Sequence, residues 1–191
     1  MVMDRRTYRL GKRQAGAHRT REAILAAARD LMVADEGSTP SVVAVAHKAG
    51  VSRLTVYQHF GSKQSLIRAL AGKALPSRTQ PIANDPGDAR DQLRRRIESA
   101  CSGWAADPSL FRRLAAHATM DTDTVEEDRI LVMRLATSDQ LRPGCSLREA
   151  EDVIGTLTSF STFDRLARNG RRSPSAVSEI LMRLASAILV G

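Results

Sequence analysis

Cysteine is nearly absent from this 191-residue chain, and the two present, Cys101 and Cys145, sit in no metal-ligand or redox spacing. A chain of this length can bury a core without disulfide staples, so the composition does not describe a small cross-linked extracellular scaffold. Long apolar runs are missing too. The most apolar stretch, Ile180 to Val190, is shorter than the about 20 residues a membrane span needs and is interrupted by Arg183. At the amino terminus, Asp4, Arg5, Arg6, Arg9, Lys12 and Arg13 occupy the place where a secretory signal would put apolar side chains. No membrane partner is therefore expected, and the cytoplasm is the expected compartment. Alternating strand patterns of useful length are lacking, and aromatics supply only 4% of the chain.

What is present is basic charge, unevenly placed. The formal net charge is +8, and up to Arg78 there are 14 basic and 5 acidic residues, so the surplus lies in the first two fifths. Helical spacing recurs throughout, and the fold class is expected to be all-α. Ile24, Leu25, Ala28, Leu31 and Met32 form one apolar stripe, which predicts a helix from Thr20 to about Asp35, ended by Gly37. Shorter helices follow at Ser41 to Lys48, Ser52 to Phe60 and Ser62 to about Leu75, the last turning Leu66, Ile67, Leu70 and Ala74 inward. The proline-rich run from Pro76 to Gly87 cannot sustain a helix interior and marks a connection. Beyond it, start signals at Asp107 with Pro108, Thr124 with Glu127, Ser146 with Glu149 and Ser173 with Pro174 imply at least five further helices. Two are long, roughly Leu147 to Arg168, stopped by Asn169 and Gly170, and Pro174 to Val190. The expected organisation is a basic disordered arm over 1–19, a helix-turn-helix domain over 20–75, a linker over 76–87 and a larger helical domain over 88–191.

The informative segment is SVVAVAHKAGVSRLTVYQHFGSK, residues 41–63. Val42, Val45 and Ala46 face inward on one short helix, Val51 packs beneath a turn, and Val56 with Phe60 anchors a second. Gly50 stands where a left-handed turn is needed. Ser52 caps the second helix, whose outward residues Arg53, Leu54, Thr55, Gln58 and His59 are rich in hydrogen-bond donors. A helix about 10 to 12 Å across fits the DNA major groove, where base edges are distinguishable. In that setting Arg53 suits guanine and Gln58 adenine, while Leu54 or the Thr55 methyl suits a thymine methyl group. Tyr57, His59 and Lys63 are better placed for phosphates, which position without conveying sequence. Ser41 and the first amides of the fourth helix add two more anion sites.

The run AGVSRLTVYQHFGSKQSLIRAL, preceded by a helix ending near Gly37, resembles the amino-terminal domain of the tetracycline-repressor (TetR) family of bacterial transcriptional regulators. The resemblance covers about residues 20–70 and rests on Ala49-Gly50-Val51-Ser52, Thr55-Val56-Tyr57, His59-Phe60, and Lys63 with Leu66. It implies a homodimer whose last two helices pair with their twins, and a repressor released from a double-stranded, inverted-repeat operator when a small-molecule effector enters the larger domain. The fourth helix is expected to couple the two domains. Two positions depart from the family pattern: Leu54 replaces a Gly or small polar residue, and Val43 with Ala44 replaces a usually polar face on the second helix.

In the larger domain, Trp104, Phe111, His117, Met120, Met133, Phe160 and Phe163 can line a ligand pocket or equally fill a core. Val177, Ile180, Leu181, Leu184, Ala185, Ile188 and Leu189 form a seam that, beside Val153, Ile154, Leu157 and Phe160, suits either an internal helix or a dimer contact across a two-fold axis. From this set, Leu157, Phe160, Ile180, Leu181, Leu184 and Ile188 are the expected dimer interface. Arg94, Arg95 and Arg96 spread around a helix and are explained by a solvated surface. His47 is expected at the surface, without a ligand role. Cys101 or Cys145 with His117 would be the raw material of a helical enzyme, but no third orienting group accompanies them. A ligand-independent DNA binder or activator is the other alternative. The chain is expected not to be an enzyme and to need no cofactor or metal.

Overall fold

A computed structural model describes residues 5–34, 39–74, 87–115 and 123–190. Among these the protein is all-α, with ten helices: α1 (Arg5–Ala34), α2 (Val42–Lys48), α3 (Arg53–Phe60), α4 (Lys63–Ala74), α5 (Ala89–Ala106), α6 (Pro108–Ala115), α7 (Asp123–Thr137), α8 (Leu147–Leu157), α9 (Phe160–Gly170) and α10 (Pro174–Ala185). No strand occurs among the described residues; the only sheet-like feature there is an isolated antiparallel bridge between Leu141 and Leu189. The chain divides into two compact units, Met1–Gly72 and Lys73–Gly191.

In the first unit, α1 packs on α2 and α2 on α3. Ile24, Leu25, Ala28 and Met32 are buried from α1, Val42, Val45 and Ala46 from α2, Val56 and Phe60 from α3, and Leu66, Ile67 and Leu70 from α4. Leu31, Val51 and Ala74 are half-buried. Helix α1 is longer than the apolar stripe suggested. It begins at Arg5, so the arm expected to lack regular structure is helical there. The residues before Thr20 hold no proline and several strong helix formers, so propensity extends a helix that packing alone would start later. The stop expected at Gly37 and most of the linker over 76–87 lie outside the described residues.

In the second unit, α5 is the centre, packing against α7, α9 and α10, while α7 packs on α8. Leu93, Ile97, Phe111, Leu114, Leu131, Leu135, Ile154 and Leu181 are wholly or nearly wholly buried. Arg96 corrects the expectation of a solvated arginine run. It is buried on α5, and its Nε donates to Asp128 Oδ1 on α7 at 2.8 Å. Desolvating a guanidinium is tolerated here because a carboxylate meets it.

Two further corrections concern helix ends. The single helix expected from Leu147 to Arg168 is broken at Thr158 and Ser159 into α8 and α9. The apolar spacing runs on through the break, but hydroxyls divert the backbone: Thr158 Oγ1 donates to the Ile154 carbonyl at 2.9 Å, and Ser159 Oγ accepts from the Thr162 amide at 3.3 Å. Helix α10 stops at Ala185 instead of Val190. The last residues turn away and exchange backbone bonds with the segment after α7: Val190 N–H to Gln140 at 3.0 Å and Arg142 N–H to Ile188 at 2.9 Å.

Candidate nucleic-acid interface

The turn between α2 and α3 is built by local geometry. Gly50 has φ +66°, and the amide of Val51 donates to the Ala46 carbonyl at 3.0 Å, closing the end of α2. The chain then re-enters a helix at Ser52, whose Oγ accepts from the Thr55 amide at 3.0 Å. The same device opens the neighbouring helices. Ser41 Oγ accepts from Ala44 N–H at 3.1 Å, and Ser62 Oγ accepts from Ser65 N–H at 3.0 Å. Each cap satisfies one of the orphan amides at a helix start and leaves others pointing outward.

Val56 and Phe60 pin α3 to the core, which decides what its other side can do. Arg53, Leu54, Tyr57 and Gln58 are exposed, and Thr55 and His59 are half-buried. Leu54 is 66% exposed, so its side chain is available on the outer side of α3. Tyr57 is exposed as well. Ser41, Ser52 and Lys63 are exposed around the same helix-turn-helix. The Lys63 ammonium donates to the Thr39 carbonyl at 3.2 Å, which ties the start of α4 to the segment before α2 and leaves its other donors for a second partner. On α2, Val43 is 54% exposed and His47 lies at the surface.

One residue of this unit was not singled out by pattern. Arg21 on α1 donates through Nη1 to the His59 carbonyl at 3.3 Å and places its guanidinium 4.4 Å from the centre of the Phe60 ring. The available signal was its position one turn before Ile24 and Leu25, where the inward stripe of α1 would continue.

In the second unit the expected pocket residues are mostly core. Trp104, Phe111, Phe160 and Phe163 are buried, and the Trp104 ring meets Phe111 edge-on at 4.7 Å and Phe160 at 5.7 Å between ring centres. The Trp104 indole donates to the Thr158 carbonyl at 2.9 Å. These rings fill one another's space. Met133 is instead exposed, in a shallow groove along α7 with Glu126, Arg129, Ile130, Arg134, Thr137 and Ser138. His117 and Met120 lie outside the described residues. Of the expected interface, Leu157, Phe160, Leu181 and Ile188 are buried within the single chain, because α8, α9 and α10 pack on one another. Ile180 is half-buried and Leu184 exposed.

The cysteines carry no sign of activation. Burial, with Glu98 nearby, pushes the Cys101 thiol up to about 11, and desolvation with Glu149 raises that of Cys145. A nucleophilic thiolate needs the opposite shift. Among the described residues no group of three or more His, Cys, Asp or Glu could hold a metal, and no helix is long and apolar enough to cross a membrane.

Comparison with known proteins bears on the same segment. Residues 24–70 match the family described as bacterial regulatory proteins, tetR family. The chain is 31% identical over 106 residues to the nucleoid occlusion factor SlmA of Marinobacter nauticus, covering 54% of each protein. It is 30% identical over 105 residues to the HTH-type transcriptional regulator AlkX of Mycobacterium tuberculosis, covering 53% of this chain and 50% of that one. The matched region thus spans about half the length of these relatives. In fold, the chain is similar to NalD, the secondary repressor of the MexAB-OprM multidrug efflux pump in Pseudomonas aeruginosa, with a TM-score of 0.65 and 23% identity over 92% of this chain and 98% of that one.

Proposed function

From the premise that this chain belongs, through its amino-terminal domain, to the tetR family of bacterial regulatory proteins, we propose that it is a sequence-specific DNA-binding transcriptional regulator. The observation that carries this reading is the outward side of α3. Arg53, Leu54, Tyr57 and Gln58 stand exposed on a helix whose opposite side is locked by Val56 and Phe60. Side chains that must read base edges need such rigid backing. Arg53 would address guanine and Gln58 adenine, with Leu54 or the Thr55 methyl on thymine. Ser41, Ser52, Tyr57, His59 and Lys63 would hold phosphates on either side.

The unit Met1–Gly72 would read DNA, and the unit Lys73–Gly191 would dimerise and receive a small effector. Two copies related by a two-fold axis place their reading helices about 34 to 36 Å apart or a multiple of that, so the operator would be an inverted repeat. Repression is the mode named for NalD, whose fold is similar. A regulator that works without a small effector is a second reading, and the close mutual packing of Trp104, Phe111 and Phe160 favours it.

Selection of preferred duplexes by the full chain, followed by footprinting, tests the proposal. Arg53→Ala or Gln58→Ala should relax base preference at single positions by about 1–3 kcal/mol, whereas Lys63→Ala should weaken all duplexes alike and flatten the salt dependence. Recovery of no preferred sequence would remove the reading. Titrating candidate small molecules into the selected complex then separates an effector-released repressor from an effector-blind one.

A further inference from the structure

We propose that Arg21 is a positioning residue for the reading helix, a role that rests on the DNA-binding reading above. Arg21 lies on α1, outside both the turn and the exposed side of α3, yet its contacts are with the last two residues of α3. Its Nη1 donates to the His59 carbonyl at 3.3 Å, and its guanidinium lies 4.4 Å from the centre of the Phe60 ring. A helix leaves its final carbonyls without intrahelical donors. Backbone amides meet two of them here: Gly61 N–H reaches Tyr57 at 2.7 Å, and Ser62 N–H reaches Phe60 at 2.8 Å. The carbonyl of His59, between them, is met from another helix.

Arginine suits this place for two reasons. Its planar fork bonds a carbonyl while its face stacks on a ring. Its charge is favourable at the negative end of the helix dipole.

The consequence is directional. Helix α3 has only eight residues, too few to be stable or hold a direction alone. Val56 and Phe60 lock one side of it to the core and so fix which side faces outward, but the hydrophobic force itself is non-directional, and two anchors on an eight-residue helix leave its fine rotation to be set by directional contacts. A hydrogen bond and a ring contact at its carboxyl end set that rotation, and with it the angle at which Arg53 and Gln58 leave the surface. Bidentate base contacts are the interactions that such an angle governs. Phosphate contacts by flexible side chains tolerate more error. Loss of Arg21 should therefore reduce discrimination between sequences more than it reduces attraction to DNA in general.

The test uses the full chain as wild type, Arg21→Ala and Arg21→Lys. Affinity is measured for a duplex selected by the wild type and for a random duplex of equal length, with thermal melting followed by circular dichroism. Arg21→Ala should weaken the selected duplex about tenfold, the size of one misdirected bidentate base contact, and the random duplex clearly less. Arg21→Lys keeps the charge and a donor but not the fork, so its selectivity should fall between the two. An equal loss on both duplexes with a shallower salt dependence would overturn the proposal and make Arg21 a phosphate-binding charge. Unchanged selectivity would overturn it as well. Should Arg21→Ala fail to fold, Arg21→Lys decides: lowered selectivity at a near-native melting temperature supports the role, and native selectivity refutes it. A wild type that selects no duplex sinks the DNA reading itself, before any variant is compared.

Discussion

Gly50 shows how much one backbone angle controls. Its φ of +66° closes α2 and redirects the chain into α3, and a β-carbon added there would meet nothing within 4 Å. The cost of Gly50→Ala is therefore conformational, about 1–2 kcal/mol for an L-residue held in the left-handed region. We expect a lower melting temperature for this variant, with base preference kept, because Val56, Phe60 and the Arg21 contacts still seat α3. Loss of selectivity at full stability would mean the turn sets the aim of the helix more than its packing does. Gly50 and Ser52 were legible from sequence because turn and cap chemistry act over two or three residues. Arg21 was not, since its partner His59 lies 38 residues away and nothing local in α1 announces it. Arg96 was misread for the same reason: three consecutive arginines read as solvated until Asp128 on another helix claims one of them.

At the scale of elements, the break between α8 and α9 is the feature that periodicity concealed. Leu157, Phe160 and Phe163 all turn inward, so the apolar pattern stays helical across a point where the helix stops. What marks the break is the hydroxyl-rich run Thr156 to Thr162, together with the Trp104 indole that takes up the Thr158 carbonyl at 2.9 Å. Trp104→Phe would keep most of the aromatic packing and remove this donor, leaving a buried carbonyl less satisfied at a cost of about 1–3 kcal/mol. Urea denaturation followed by circular dichroism measures that loss directly. A change within error would show that the junction is held by its own hydroxyls and that the ring cluster serves packing alone. The existence and type of the helices could be read in advance because caps such as Ser146 and Ser173 are local signals. Their ends could not, because α10 yields its last residues to backbone bonds with Gln140 and Arg142, which no pattern within α10 encodes.

For the whole molecule, the question is which apolar surface remains once a single chain has packed itself. Four of the six residues expected between two copies are consumed inside one, which narrows the seam to Ile180 and Leu184, one turn apart on α10. Leu184 is 52% exposed, so Leu184→Glu should leave the fold of one chain within about 0.5 kcal/mol of native, as surface substitutions usually do. In a two-fold interface the same change appears twice and faces itself, adding like charges and buried carboxylates to both sides. Light scattering should then report one 20.8 kDa chain where the proposed wild-type dimer gives two. Binding to an inverted repeat should fall toward that of a half-site, because two tethered heads gain an effective concentration that separate heads lack. A variant that remains dimeric at micromolar concentration would place the interface elsewhere, while leaving the proposed reading surface of α3 untouched.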